Sequence, residues 1–344
     1  MTEQFVVRAP GRVNLIGDHT DYTGGLVLPM TIDRWTVIEG SYHDGPIELT
    51  SSDEPDPLVL ALPVADPAII EPRWGRYVAG VAAELGDAVR SVSGTVHTGI
   101  PIGAGLSSSA ALEIAAALAL GFEGDVVALA ELGRRAEHRA SGVPCGIMDQ
   151  LCIAAGVEGH AVLIDCHALT VTPVPLPEHV DIVVQFVAHR TLMGSEYAER
   201  VDECNAAELI IGPLRLATIG DLSRISDPTI RRRARHVINE NQRVRDFGDA
   251  LRNGDIVRAG QLMIESHNSL RDDFATSITV MDQAVEALCA LPGVYGARMT
   301  GGGFGGCVVA FTEPGAVVDG WVVRAVAGAS IKHGTSAHRG AESR

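Results

Sequence analysis

The run from Val92 to Leu120 constrains the fold more than any other stretch of this chain. Val92-Ser93-Gly94-Thr95-Val96-His97 alternates at the period of a strand, and Pro101-Ile102-Gly103-Ala104-Gly105-Leu106-Ser107 is a glycine-punctuated turn. The alanine- and leucine-rich residues that follow predict a helix from about Ser108 to Leu120. Strand, glycine loop and helix N-terminus in this order build an anion site. Loop N–H groups and the positive end of the helix dipole converge, with serine hydroxyls beside them for phosphate oxygens and Mg²⁺.

A single glycine loop is as readily a tight turn or a helix cap. Two further segments argue for a ligand. Gly11-Arg12-Val13-Asn14-Leu15-Ile16-Gly17-Asp18-His19-Thr20-Asp21-Tyr22 crowds an arginine, a histidine and two carboxylates into apolar surroundings. Val13, Leu15 and Ile16 anchor such a segment while its polar groups face sugar hydroxyls. Met299-Thr300-Gly301-Gly302-Gly303-Phe304-Gly305-Gly306-Cys307 then leads into the strand-like Val308-Val309-Ala310-Phe311, its glycines allowing close backbone approach.

Familiar phosphate sites are excluded. There is no G-x-x-x-x-G-K-[ST] loop, and the only lysine is Lys332. Protein-kinase architecture needs a lysine on an early strand and an H-R-D motif, and neither occurs. Gly103 to Ser109 reads G-A-G-L-S-S-S, not the G-x-G-x-x-G of a dinucleotide fold. A net charge of −16 argues against nucleic acid, and Arg231-Arg232-Arg233-Ala234-Arg235-His236 reads as a solvated helix face. No apolar run reaches membrane-spanning length, the N-terminus lacks secretory features, and the six cysteines show no C-x-x-C spacing, so reduced thiols in the cytoplasm are expected. Cys145, beside Gly146, is expected to be oxidation-sensitive.

The three glycine-bearing segments resemble the ordered motifs of the GHMP kinases, and the first resembles the galactokinase signature G-R-x-N-L-I-G-E-H-x-D-Y. Arg73-Trp74-Gly75-Arg76-Tyr77-Val78, Cys145-Gly146-Ile147-Met148-Asp149-Gln150, Ser195-Glu196-Tyr197 and Glu265 to Phe274 resemble galactokinase segments in the same order, so the likeness runs from Ala9 to Ala310. It implies ATP-dependent phosphorylation of the anomeric C1 hydroxyl of galactose. Asp149 would face that hydroxyl, as base or as orienting group, with Arg12 between it and the phosphoryl group. Arg12, Asp18, His19, Asp21, Gly146, Asp149 and Tyr197 would bind the sugar. Gly103, Gly105, Leu106, Ser107, Ser108, Ser109 and Ala110 would cradle ATP, with Trp74 on the base or else a core anchor. Ser109 and Glu137 would ligate Mg²⁺, Glu137 being otherwise a solvated helix residue.

Position 18 departs from the signature, where the family has glutamate. One methylene less withdraws the carboxylate by roughly 1.5 Å from the hydroxymethyl end of the sugar. That leaves N-acetylgalactosamine or a pentose such as arabinose as alternative substrates. A catalytically silent sugar sensor is the third reading, against which Arg12, Asp149 and the serine loop are intact.

The expected fold is α+β in two GHMP-like lobes, 1–169 and 170–344, with the active site in the cleft between them. Strands are expected at Gly25–Pro29, Thr36–Gly40, Ile182–Val187 and Gly306–Phe311, with helices at Trp74, around Glu137, and over Pro228–Phe247 and Val280–Ala290. The tail after His333 is expected to fray. The expected partners are sugar and ATP alone, for a monomer or weak homo-oligomer.

Overall fold

The computed structural model describes residues 3–189 and 195–335, with no side chain described at 195 or 335. The chain opens with β1 (Glu3–Ile16), β2 (Leu26–Tyr42), β3 (Ile47–Ser51) and β4 (Leu58–Leu60). Next come α1 (Gly75–Leu85), β5 (Val92–Thr98), α2 (Ser108–Ala119), α3 (Val126–Ser141) and α4 (Met148–Ala155). Then follow β6 (His160–Asp165), β7 (Thr170–Pro175), β8 (Asp181–Ala188), α5 (Ser195–Ile211), α6 (Pro228–Arg252) and α7 (Ile256–Ser269). The last are α8 (Thr279–Cys289), β9 (Val294–Thr300), β10 (Gly306–Thr312), β11 (Trp321–Val323) and β12 (Ser330–Thr335).

These elements form the expected α+β architecture around two sheets. The larger has eight strands in the order β12-β1-β2-β5-β3-β4, with β6 added to β2 and β7 to β6. The smaller, β11-β8-β10-β9, is antiparallel throughout. The main core lies beneath α1 and α2 on the larger sheet, and a second core fills the space between the smaller sheet and α5, α6 and α8.

Sheet membership does not follow the linear division at 169/170. β7 pairs β6 along its length, and β12 returns to pair β1, Glu3 opposite Thr335, so both extend the first sheet. Gly334 and Thr335, placed in the fraying tail by sequence, complete β12; the remainder of that tail lies outside the described residues. The two short strands expected at Gly25–Pro29 and Thr36–Gly40 are one strand. Asp33 and Arg34 break the apolar alternation but not the pairing, because β1 accompanies β2 past them through a register shift at Pro10/Gly11. β2 meets β6 at its start and β5 at its end, so a single strand links two layers of partners.

The basic run on α6 is not a solvated face. A helical period turns Arg233 inward, where Nε donates to Glu203 at 2.8 Å and Nη1 to the Asp273 carbonyl at 2.7 Å. Arg235 holds Asp273, and Arg231 caps the carbonyls of Ile225 and Ser226. The same helix carries an Asp246-Phe247-Gly248 tripeptide whose phenylalanine is buried against Phe311, a core contact rather than a metal loop.

Candidate active site

β1 brings Arg12 against the glycine loop. The Arg12 N–H donates to the Leu106 carbonyl at 3.2 Å, and a Cβ on Gly11 would crowd that carbonyl at 3.0 Å, so glycine allows the approach. The guanidinium then meets Asp149 in a fork, Nε to Oδ1 at 2.8 Å and Nη2 to Oδ2 at 2.7 Å, while Nη1 donates to the Gly105 carbonyl at 2.6 Å. Bidentate geometry fixes both groups in one plane. Asp149 stands in the first turn of α4, where the helix dipole favours a carboxylate, and Ser107 Oγ donates to the same Oδ2. Arg12 is sealed in, its side chain 5% exposed, but Asp149 keeps 27% of its side-chain surface open. Residues 137 positions apart thus make a charged pair with one open face.

In the first motif, His19 takes a left-handed conformation, φ 66°, and its Nδ1 lies 3.1 Å from the Tyr22 hydroxyl. Its ring packs against Tyr197 and Phe274, with centroids 5.4 and 4.7 Å away, in an aromatic wall completed by Tyr22. Burial, reinforced by nearby Asp21, pushes the Tyr197 phenol well above its ordinary range. Asp21 lies directly over Gly146, where any Cβ would occupy the space of its carboxylate. Burial first, and the negative charge of Asp149 second, raise the Asp21 carboxyl to about 7. Asp21 and Asp149 therefore share one site.

Asp18 has a partner that the sequence did not supply. Its Oδ2 accepts from Arg298 at 2.5 Å and its Oδ1 from the Gly301 N–H at 3.0 Å, with 2% of the residue exposed. Arg298 also lies 4.0 Å from Glu240, whose carboxylate accepts from Gly17 N–H, Ser266 and Arg243. The Gly301 contact, with Thr300 Oγ1 donating to the Asn14 carbonyl at 2.9 Å, is how the third glycine segment supports the first.

The glycine loop joins β5 to α2 in the expected order. Gly103, Gly105 and Ser107 are all left-handed, and Leu106 and Ala104 are buried, so the loop is pinned while its turn stays at the surface. The amides of Ser108, Ser109 and Ala110 lie in the first turn of α2, whose N–H groups have no partner within the helix. Trp74 caps α1, half-buried, its indole N–H donating to the Asp56 carbonyl at 3.2 Å.

Ser109 Oγ reaches Glu137 Oε1 at 3.2 Å. Burial and the charge of Asp149 raise the Glu137 carboxyl, a load that a nearby cation relieves. Two hard oxygens beside a helix N-terminus suit Mg²⁺ when nucleotide phosphates and water complete its shell. Among the described residues no group of three or more His, Cys, Asp or Glu forms a self-sufficient metal cage. Cys145, expected to be oxidation-sensitive, donates from Sγ to Glu137 Oε2 at 3.7 Å. Burial and that carboxylate drive its thiol far up, which disfavours the reactive thiolate.

Sequence reasoning passed over Glu113 and Arg298. Glu113 is wholly buried on α2, and the Gln150 Nε2 amide donates to it at 3.0 Å and to Glu137 at 2.7 Å. An acid in an otherwise apolar helix is the available signal. Nothing in the local pattern marked Arg298, which is buried in β9.

Residues 1–42 match the galactokinase galactose-binding signature, 76–157 the GHMP kinases N terminal domain and 249–321 the GHMP kinases C terminal domain. The chain is 43% identical to galactokinase of Homo sapiens, over 91% of this chain and 85% of that one. It is 42% identical to galactokinase of Chloroflexus aggregans, over 96% and 89%. The structure of Lactococcus lactis galactokinase complexed with galactose superposes with a TM-score of 0.88 at 29% identity, covering 95% of each chain. Methanococcus jannaschii mevalonate kinase shares the fold, with a TM-score of 0.66 at 20% identity over 90% of each chain.

Proposed function

The chain belongs to the galactokinases of the GHMP kinase family, and from that premise we propose that its open Arg12–Asp149 pair phosphorylates galactose at the anomeric C1 hydroxyl. The γ-phosphoryl group comes from ATP. The observation that carries the reading is the Asp149 carboxylate, held on both oxygens by Arg12 and by Ser107 yet open on its remaining face.

The hydroxyl of the acceptor sugar donates to that open face, either passing its proton to Asp149 or keeping it in a hydrogen bond while it attacks. Both routes use the same two charges. Arg12, beside the hydroxyl, favours its developing negative charge and offsets that of the incoming phosphoryl oxygens. Amides at the N-terminus of α2 and the loop around Gly103 and Gly105 hold the nucleotide phosphates. His19, Asp21, Tyr197 and the space above Gly146 orient the ring hydroxyls. Asp18, drawn back to Arg298, shapes the hydroxymethyl end through water or through the backbone it holds.

Ser109 and Glu137 fit Mg²⁺ by donor type and spacing, and would hold it; when bound, the ion neutralises phosphate charge. Trp74 borders the nucleotide base. A cytoplasmic location completes the proposal, supported by the free thiols of Cys145, Cys152, Cys166, Cys204 and Cys289; no helix among the described residues is long and apolar enough to cross a membrane.

ATP turnover by the purified protein against galactose, N-acetylgalactosamine, arabinose, glucose and mannose tests the reading. Preference for galactose supports it. Preference for another sugar keeps the phosphoryl chemistry and reassigns the pocket around Asp18, and absence of turnover with every sugar returns the silent sensor.

A further inference from the structure

Glu113 presents a problem of charge. It is fully buried among the alanine, leucine and isoleucine side chains of α2, and no arginine, lysine or histidine forms an ion pair with it among the described residues. A lone carboxylate stripped of water is costly. Its hydrogen-bond partner is Gln150, itself wholly buried, whose Nε2 donates one hydrogen to Glu113 Oε2 at 3.0 Å and the other to Glu137 Oε2 at 2.7 Å. Both amide hydrogens are then spent. Two buried acceptors remain without a partner, Gln150 Oε1 and Glu113 Oε1, one on each member of the same bonded pair.

One proton resolves both. A carboxylic acid and a primary carboxamide joined by N–H···O can close a ring through O–H···O on their other side. With Glu113 protonated on Oε1, that hydroxyl donates to Gln150 Oε1, no acceptor is orphaned and no charge is buried. Burial and the nearby Glu137 carboxylate drive the Glu113 carboxyl well above its ordinary range, in the direction this arrangement needs.

We propose that Glu113 is a neutral acid paired cyclically with Gln150, and that this pair is the positioning device for Glu137. Pinned by Glu113, the amide has one rotamer, and its second hydrogen fixes Glu137 Oε2. Glu137 Oε1 is thereby turned toward Ser109, where the two oxygens stand 3.2 Å apart. Without the pin, the amide is free to rotate and the carboxylate to leave Ser109. This rests on the reading of Ser109 and Glu137 as the Mg²⁺ ligands.

Two measurements test it. Infrared difference spectroscopy of the ligand-free protein, wild type against Glu113→Gln, should show a protonated-carboxyl C=O band that persists to pH 9 and vanishes in the variant. Asp21, titrating near 7, is silent at that pH. Calorimetric titration of the ATP complex with Mg²⁺ should show about 10-fold weaker metal binding in Glu113→Leu, the cost of losing a partner behind a ligand. Galactose KM should stay within about twofold. Glu113→Gln should rescue the metal affinity, because its amide reproduces the donor and acceptor of the neutral acid. Should Glu113→Leu fail to fold, Glu113→Asp, too short to close the ring, should weaken Mg²⁺ binding likewise. Absence of the band, or a Gln variant as impaired as the Leu or Asp variant, overturns the neutral acid. Unchanged Mg²⁺ affinity in the Leu or Asp variants overturns the positioning role. Glu137→Gln is the control: if it too leaves metal affinity unchanged, the metal assignment itself is at fault.

Discussion

Two Arg–Asp pairs, Arg12–Asp149 and Arg298–Asp18, draw on the first motif and do opposite things. Arg12–Asp149 and Arg298–Asp18 have the same chemistry and similar separations, 2.7 and 2.5 Å between nearest atoms. They differ in what lies on the far side of the carboxylate. Asp149 has 27% of its side chain open, whereas Asp18 and Arg298 are 2% and 0% exposed. An ion pair with an open face can present charge to a ligand; a sealed one can only hold chain segments in register, here the loop after β1 to β9 and, through Glu240, to α6. The sealed pair is not evidence of stability in itself, since removing two charges from water costs about as much as their attraction returns. Breaking it on one side is another matter.

The comparison can be broken from either end. Removing the open carboxylate should cost catalysis most: Asp149→Ala should lower kcat by about 10³-fold or more while ATP still binds by calorimetry. Asp149→Asn, which keeps an orienting acceptor, separates the two routes for the proton. Residual turnover well above that of Asp149→Ala favours orientation, and equal loss favours proton removal.

Removing the sealed pair should do the reverse. Arg298→Met leaves Asp18 and Glu240 as buried anions facing an apolar chain. Stability should fall by about 3–5 kcal/mol, read by denaturant titration, with kcat less affected than the midpoint. A kcat collapse with unchanged stability would place Arg298 in the open site instead.

A third test uses pH. The Asp21 carboxyl is raised to about 7 in the folded protein against its ordinary 3.8, so between these values the folded state binds more protons than the unfolded. Stability of the ligand-free protein therefore falls as pH rises through this window, with Asp21 contributing up to about 1.4 kcal/mol per unit until it ionises near 7. Asp21→Asn should make that slope shallower in thermal melts from pH 5 to 7, leaving the share of the neutral Glu113. A slope that the substitution leaves unchanged assigns it to another group.

The smallest effect is expected at position 18. Asp18→Glu should change kcat/KM ratios between galactose and sugars altered at C6 by a few fold, about 1 kcal/mol. Identical ratios in both proteins would show that the sealed pair has no influence on the sugar.

Much of this site was legible before the structure. The strand, glycine loop and helix of 92–120 form as their periodicity dictates, because each signal is local. The long-range pairing of Arg12 with Asp149 was accessible only through the resemblance of both motifs to one family, since no local pattern links residues 137 apart. What escaped was set by burial. Arg298 carries no signal until the fold encloses it, Glu113 shows only as an acid in an apolar helix with no partner named nearby, and Arg233 looked solvated because a cluster of arginines hides which one the helix turns inward. Similarly, β7 and β12 join the first sheet through partners far away or across a turn, a choice that composition cannot record.

The most direct test is the position of the phosphate in the product. Incubating the protein with ATP, Mg²⁺ and galactose and reading the phosphorus–carbon couplings by NMR should give galactose 1-phosphate, the anomeric oxygen having faced Asp149. Phosphate on C6, at the Asp18 end of the sugar, would mean that the open and sealed pairs have been assigned to the wrong ends of the substrate.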